Sequence, residues 1–107
     1  MASDSDDVVH YSIHVEADAV ADIEALYAFV QENADTLAAE RQIKKVFECI
    51  RKLDIFPNGH PICELSPEMR VAHVGKYCVI FNVDDAAHKV SIARIFHARQ
   101  DINTQDL

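Results

Sequence analysis

Hydrophobic and polar residues alternate strictly in residues 8–15, near the start of the chain. A two-residue period places every hydrophobic side chain on one face of a strand and every polar side chain on the other. The hydrophobic face comprises Val9, Tyr11, Ile13 and Val15, and the polar face comprises His10, Ser12 and His14. The pattern therefore predicts a half-buried β-strand.

The last third of the chain predicts two or three further strands that lie next to one another. In residues 76–83 both faces are largely apolar, as in a central strand that is covered on each side. One face presents Tyr77, Val79, Phe81 and Val83, and the other presents Cys78 and Ile80. Residues 84–87 are polar and turn-prone, and residues 89–96 return with Val90 and Ile92 directed inward. Two runs with so short a connection predict an antiparallel hairpin.

Between these regions the hydrophobic residues recur at steps of three and four, which predicts helices at residues 17–32 and 36–54. The hydrophobic stripe of the first helix comprises Val20, Ile23, Tyr27 and Val30. The stripe of the second helix comprises Ile43, Val46, Phe47, Ile50 and Leu53. Its opposite face is charged and comprises Arg41, Lys44, Lys45, Glu48, Arg51 and Lys52. The short connection predicts an antiparallel helical hairpin.

Proline and glycine interrupt the pattern after the second helix. Residues 57–61 end this helix and turn the chain, residues 62–65 predict a short strand, and residues 66–68, Ser-Pro-Glu, predict another turn. The resulting order predicts an α+β fold: an N-terminal strand, an antiparallel helical hairpin, and then a mostly antiparallel sheet of three to four strands.

A chain of 107 residues, half of them hydrophobic and only two of them glycine, is long enough for a single packed core. We expect one domain at residues 8–102. An acidic tail without periodicity at residues 1–7 is expected to be disordered, and residues 103–107 are expected to form a flexible C-terminus.

The formal net charge of −8 is unevenly distributed. Ten of the eighteen acidic residues and none of the ten basic residues precede Arg41, so residues 1–40 carry −10. The remainder, with ten basic and eight acidic residues, carries +2. An acidic chain argues against non-specific nucleic-acid binding, which depends on neutralising phosphates. Because no apolar run reaches the length of a membrane span and the acidic N-terminus resembles no secretory signal, we expect a cytoplasmic protein without membrane association.

The cysteine and histidine residues do not fit a common metal site. Three cysteines without a paired spacing predict partly buried free thiols rather than a disulfide framework: Cys49, Cys63 and Cys78. His10 and His14 lie on a predicted strand, where four residues span roughly 13 Å, too far for one zinc ion. Nothing near Cys78 in the sequence would lower its pKa. We therefore predict no metal, no cofactor and no catalytic cysteine.

Four short motifs, taken in order along the chain, carry a resemblance to a known family. The first predicted helix contributes Ala19, Asp22, Ile23 and Tyr27, and the helix exit contributes Leu53, Pro57 and Gly59. Arg70 then precedes a turn and a tyrosine-led central strand, VGKYCVIF, and the chain continues to VSIARIFHARQDI. This set resembles the ParE/RelE superfamily, the toxin halves of bacterial type II toxin–antitoxin pairs, and covers residues 8–102. The ending is most similar to the ParE branch, which closes its last core strand with a histidine, a small residue and an arginine.

Members of the RelE branch cleave messenger RNA on the ribosome, so their catalytic positions can be compared with this chain. That chemistry requires cations near the scissile phosphate and a group that helps activate the ribose 2′-hydroxyl. At three compared positions the chain has uncharged residues, Met69, Val71 and Cys78. Arg99 matches, but no tyrosine follows it. A ribonuclease remains the alternative function, because His73 or His97 could act as acid or base, as a C-terminal histidine does in some members.

The ParE branch is the better match, and it implies a different activity. Its members are non-enzymatic toxins that bind DNA gyrase, stall the cleaved-DNA state and arrest growth, without a cofactor and without direct sequence-specific binding to nucleic acid.

The resemblance also implies a cognate, ParD-like antitoxin laid across apolar grooves of the toxin. It leaves open a homodimer or a hetero-oligomer with the antitoxin. The acidic first forty residues suggest an antitoxin docking segment that is more basic than usual, and a member that only binds its antitoxin, without toxicity, is the second alternative.

Four residues are the candidates for binding the target: Arg70, Tyr77, His97 and Arg99. Both arginines are expected near strand ends, where ordinary surface ion pairs are the alternative role. His97 is expected on the same surface, with a hydrogen bond inside the fold as its alternative. For Tyr77 the alternative is a place in the hydrophobic core.

Overall fold

The computed structural model describes residues 8–64 and 66–97. It contains two helices, α1 (Ala17–Asn33) and α2 (Thr36–Arg51). Its strands are β1 (Ser12–Val15), β2 (Ile62–Cys63), β3 (Ser66–Val74), β4 (Tyr77–Asp84) and β5 (Lys89–His97). The predicted disordered tail, the predicted flexible C-terminus and Arg99 lie outside the described residues. Within the described part of the chain, no helix is long and apolar enough to cross a membrane.

The five strands form one sheet in the order β1-β5-β4-β3-β2. β1 pairs in parallel with β5, from Ser12 opposite Lys89 to Val15 opposite Ile92, and the other pairs are antiparallel. The parallel pair is possible because the helical hairpin that follows β1 carries the chain across the sheet before it returns. The predicted α+β fold is therefore confirmed, with four strands after the hairpin.

The first strand and the second helix have different bounds from those predicted. β1 begins at Ser12 rather than at residue 8, and the backbone N–H of Tyr11, directly before it, donates to the carbonyl of Asp54 (2.8 Å). The predicted second helix ends in a tighter form, since α2 is followed by the 3₁₀ turn Lys52–Asp54. A second 3₁₀ turn, Pro57–Gly59, then leads into β2.

Alternate residues of β4 enter two separate apolar clusters, as the sequence predicts. The main core lies between the helices and the sheet, where Val79 and Phe81 of β4 are fully buried with Val90 and Ile92 of β5. The opposite face of the sheet carries a second cluster formed by Cys63, Cys78, Ile80 and Phe96. Burial on both faces confirms β4 as a central strand.

A bulge in β5 lets its last residues continue to fill the main core. β5 contributes one residue more than β4 between the pairs Ile80–Arg94 and Phe81–Ile92. Because of this extra residue, Ile92 and Ile95 are three positions apart and still lie on the helix side of the sheet.

The buried faces of both helices differ from the predicted stripes at one position each. In α1 the fully buried residue is Ala19, whereas Val20 is exposed. In α2 the fully buried Ala39 was not on the predicted stripe, and Phe47, which was, is 48% exposed. The prediction was wrong for Val20 and Phe47 because small alanine side chains, not the large ones, allow the helix backbones to approach their neighbours closely.

The predicted turn at residues 66–68 is also wrong, since these residues begin β3. β3 pairs with β4 from Arg70 to Val74, so Pro67 lies outside this paired part of the strand. A proline is tolerated there because its missing N–H removes no hydrogen bond between the two strands.

Candidate functional site

An open apolar groove of about 540 Å³ lies between α1 and the end of β5. One wall comes from α1 and the other from β4 and β5; the lining residues are Asp22, Ala25, Leu26, Phe29, Tyr77, Arg94, Ile95, Phe96 and His97. Phe29 is 60% exposed at its rim, although a side chain of this size would normally be buried. We call this feature the α1–β5 groove.

Asp22 fixes the position of α1 against β5. β1 covers the outer edge of β5 only as far as Ile92, so the backbone beyond it needs another partner. The Asp22 carboxylate supplies one: it accepts from the backbone N–H of Ile95 (2.8 Å) and from Nε and an Nη of Arg94 (2.8 and 3.1 Å). The Arg94 guanidinium also lies over the ring of Phe96, 4.8 Å from its centroid. The carboxylate of Asp22 thus joins α1 to the edge of β5 beside the α1–β5 groove.

Two of the four predicted target-binding residues are neighbours at one end of the α1–β5 groove. Tyr77 begins β4 directly opposite His97 at the end of β5, and their rings meet edge to face at 5.3 Å. Tyr77 is buried in the main core as well as lining the groove. Burial raises the pKa of its hydroxyl, so Tyr77 stays neutral and can donate a hydrogen bond to a bound segment.

Arg70 does not share this site. It lies opposite Phe81, four positions along the β3–β4 pair from Val74 and Tyr77, or roughly 13 Å away. Its guanidinium donates to the backbone carbonyl of His60 (2.7 Å), which ties the turn before β2 to the sheet. The structure therefore brings Tyr77 and His97 together and leaves Arg70 at the other end of the strands.

A second polar network, which the sequence did not indicate, lies at that other end. The carboxylate of Asp85, in the turn between β4 and β5, accepts from the hydroxyl of Tyr11 (2.8 Å) and from the side-chain amide of Asn58 (2.7 Å). These two hydrogen bonds hold the pKa of Asp85 below its usual value, and the bond to Asp85 raises the pKa of Tyr11. The network joins the residue before β1, the 3₁₀ turn Pro57–Gly59 and the β4–β5 turn.

The lowered pKa of Asp85 predicts a pH-dependent contribution to stability. A carboxylate with a depressed folded-state pKa stabilises the protein above the unfolded value of about 3.9, and this contribution disappears as the pH falls through the folded-state pKa. We expect Asp85→Asn to unfold at lower urea concentration than the parent protein at pH 6, with the difference shrinking below about pH 4. Glu64→Gln, which neutralises an exposed carboxylate, is the matched control. A difference for Asp85→Asn that is the same at pH 6 and pH 3 would contradict the assignment.

The three cysteine side chains are free thiols, as the sequence predicts. All three cysteines are free, with Cys49 half-buried and both Cys63 and Cys78 buried. The Sγ of Cys78 lies 3.4 Å from Nδ1 of His73, but burial, and then the proximity of Cys63, raise the pKa of the Cys78 thiol. Its thiol is therefore protonated and a poor nucleophile. Among the described residues, no group of three or more histidine, cysteine, aspartate or glutamate side chains is arranged to hold a metal ion.

Comparisons with solved structures find the same fold in known proteins. Two solved structures share the fold: a chain of the chromosomal ParDE toxin–antitoxin system from P. aeruginosa, and a chain of the RelBE2 toxin–antitoxin complex from Mycobacterium tuberculosis. The first has a TM-score of 0.75 and 18% identity over 84% of this chain and 98% of its own. The second has a TM-score of 0.64 and 22% identity over 83% of this chain and 92% of its own.

The family assignment comes from one of two sequence comparisons. No curated protein sequence matches the chain. The family model of the ParE toxin of the type II toxin–antitoxin system parDE, however, matches residues 13–102, which includes both helices and all five strands except the first residue of β1. The chain therefore belongs to the ParE toxin family, within the ParE/RelE superfamily of type II toxin–antitoxin toxins.

Proposed function

We propose that the chain acts as a toxin by binding and inhibiting DNA gyrase, and that a cognate antitoxin neutralises it. The match to the ParE toxin family over residues 13–102 carries this proposal. No cofactor or metal ion takes part, because the inhibition is binding of one protein to another.

The positions compared with RelE-type ribonucleases support a non-enzymatic mechanism. Met69 and Val71 pack against the second apolar cluster, and Cys78 is buried within it. A phosphate at these positions would meet a thioether, an isopropyl group and a neutral thiol. None of these groups supplies the positive charge that stabilises a pentavalent phosphorus transition state. Ribonuclease activity is therefore the less favoured function.

The geometry also bears on which residues contact gyrase. Tyr77 and His97 lie side by side at the end of β5, and Arg99 follows two residues later, outside the described residues. We propose that this end of the sheet is the primary contact. Arg70 would contact gyrase only through a separate part of the interface, because it lies roughly 13 Å from Tyr77 along the strands.

The α1–β5 groove is the surface that we propose for the antitoxin. Its lining is mostly apolar, and Phe29 at its rim exposes a large ring that a partner would cover. The two solved structures described above both come from toxin–antitoxin systems. Since residues 1–40 carry −10 and include α1, we expect the docking segment of the antitoxin to be basic. An acidic segment whose binding is insensitive to salt would contradict this expectation.

Induced expression of the chain alone, followed by a supercoiling assay with purified gyrase, tests the toxic activity. We expect growth arrest with filamentous cells and gyrase-dependent DNA breaks, because stalled cleavage complexes block replication. Arrest with intact DNA and falling message levels would favour a ribonuclease, and His97→Ala would then be the first variant to test. Absence of arrest at good soluble yield would favour a binding module without toxicity.

Co-expression of the cognate antitoxin in the same assay tests the antitoxin surface. We expect Phe29→Ser to keep its toxicity and to lose rescue by the antitoxin. Phe56→Ser is the matched control, because Phe56 is also a largely exposed phenylalanine but lies outside the groove lining. Equal rescue of both variants would remove the α1–β5 groove as the antitoxin site.

A further inference from the structure

The outward face of α2 concentrates half of the basic residues of an acidic protein. Five of the ten cations lie in the last three turns of α2 and directly after its end, and all are exposed: Arg41, Lys44, Lys45, Arg51 and Lys52. None of them takes part in an ion pair with another described residue. Glu40 and Glu48 are spaced for helical pairing with Lys44, yet no such pair forms. The positive charge of this face is therefore available to a partner.

An apolar groove runs beside these cations, between α2 and β1. It has a volume of about 470 Å³ and is lined by Ile13, Lys44, Phe47, Glu48, Ile50 and Arg51. Phe47 is 48% exposed at its centre, with Lys44 three positions before it and Arg51 four positions after it on the same side of the helix. We call this feature the α2–β1 groove. It is separate from the α1–β5 groove, since the two share no lining residue.

The backbone of β1 faces the same groove with an edge that no strand of the described fold covers. β1 is the first strand of the sheet and pairs only with β5. The N–H of Ser12 donates to the carbonyl of His88, directly before β5, and the N–H of Glu16 donates to the carbonyl of Ile92 in β5. Because alternate residues of a strand direct their backbone groups to opposite sides, those of Ile13 point away from β5. Among the described residues, no hydrogen bond occupies the outward N–H of Ile13.

We propose that the α2–β1 groove binds an extended, acidic segment of a partner protein, which adds to the outer edge of β1. Strand addition to such an edge is a common mode of peptide recognition, in which the backbone supplies affinity and alternate side chains supply specificity. Every second side chain of the bound segment would face α2, and three successive ones of these would be acidic, apolar and acidic. The acidic ones pair with Lys44 and Arg51, and the apolar one packs on Phe47.

The spacing of the groove residues fits this pattern. Lys44, Phe47 and Arg51 are separated by roughly 4.5 and 6 Å along the helix axis, at 1.5 Å per residue. Alternate residues of an extended segment are separated by roughly 6.5 Å. The long side chains of lysine, arginine and glutamate accommodate the remaining difference. The motif that we infer is therefore glutamate, any residue, leucine or a similar apolar residue, any residue, glutamate.

A protein segment suits this groove better than a nucleic-acid backbone does. The exposed ring of Phe47 and the apolar side chains of Ile13 and Ile50 offer contact area that phosphates and sugars cannot use well. The test must therefore distinguish binding of a protein segment from binding of nucleic acid. The inference does not depend on gyrase, so its failure and the failure of the proposed function are separable.

Fluorescence anisotropy with a labelled peptide of sequence Ser-Glu-Thr-Leu-Thr-Glu-Ser tests the proposal on the intact chain. We expect saturable binding that weakens by about tenfold in the double variant Lys44→Glu/Arg51→Glu, because two attractive contacts become repulsive. The double variant Lys45→Glu/Lys76→Glu changes the net charge equally outside the groove lining, and we expect less than about twofold weakening. Two further peptides are compared, one with the backbone amide of the leucine methylated and one with the backbone amides of both threonines methylated. We expect one of the two peptides to bind about tenfold more weakly, because only one set of amides pairs with β1.

Amide hydrogen exchange tests the pairing of the peptide with β1 separately from the charged contacts. We expect the peptide to slow exchange at Ile13 and to leave the already bonded amide of Glu16 unchanged. Three results would overturn the proposal: no binding of this peptide, equal loss in both double variants, or tighter binding of a DNA duplex that is lost in Lys44→Glu/Arg51→Glu. The last result would identify the face as a phosphate-binding surface.

Discussion

Replacing Phe81 with alanine is expected to lower the free energy of unfolding by about 4 kcal/mol, the largest stability effect in this protein. The side chain is fully buried at the centre of the main core, between Arg70 in β3 and Ile92 in β5. Its ring also meets the ring of His60 edge to face at 5.6 Å. Truncation removes the transfer free energy of the ring and leaves a cavity that three strands and a helix cannot close by a small shift. Urea denaturation followed by circular dichroism measures the loss.

Phe56→Ala removes the same atoms from an exposed site and is the matched control. Phe56 is 77% exposed and has a left-handed backbone (φ 51°), a conformation that alanine would adopt at a similar cost. We therefore expect a change of less than about 0.5 kcal/mol. Similar losses for Phe81→Ala and Phe56→Ala would show that Phe81 is not the centre of the core.

The strands were predictable because their side-chain period is regular. The assignment of Tyr77 and Val79 to one face of β4 and of Cys78 and Ile80 to the other is confirmed by two separate buried clusters. In a central strand both faces are apolar, so the alternation is visible only once a run of adjacent hydrophobic residues is recognised as a strand. The order of elements then led to the α+β fold.

The helix faces were less predictable because hydrophobicity and burial diverge there. In α1 apolar residues occur almost all round the helix, so Val20 and Ala19 were equally compatible with the periodicity. The structure buries Ala19 and exposes Val20. In α2 the sequence placed Phe47 on the buried stripe, but the structure leaves its ring in the α2–β1 groove. An exposed aromatic residue on a predicted core stripe is thus a signal for a binding surface that the sequence alone does not give.

The polar contacts that shape the candidate site could not be predicted, because they join residues far apart in the chain. Asp22 and Arg94 are 72 positions apart, and Tyr11 and Asp85 are 74 apart. The sequence assigned Asp22 to a family motif in the first helix. Its contact with the edge of β5 follows only from the parallel pairing of β1 and β5, which no local pattern encodes.

Replacing Asp22 with alanine is expected to lower the free energy of unfolding by about 3 kcal/mol. The exposed fractions of the Asp22 and Arg94 side chains are 17% and 28%, so their ion pair is largely shielded from water. The substitution leaves a partly buried guanidinium without this carboxylate and removes the acceptor of the Ile95 N–H. Asp22→Asn keeps an oxygen that can accept from Ile95 but loses the charge, so we expect about half of the effect. Urea denaturation at neutral pH measures both variants.

The control for Asp22 is Asp18→Ala, which removes an exposed carboxylate from the first turn of the same helix. Only the favourable interaction with the helix dipole is lost there, and we expect less than about 1 kcal/mol. Because Asp22 also holds α1 beside the strand that carries His97, we expect faster amide exchange at Ile95 in Asp22→Ala than in Asp18→Ala. Equal stability and equal exchange in the two variants would mean that packing alone, without this carboxylate, fixes the end of β5 and the α1–β5 groove.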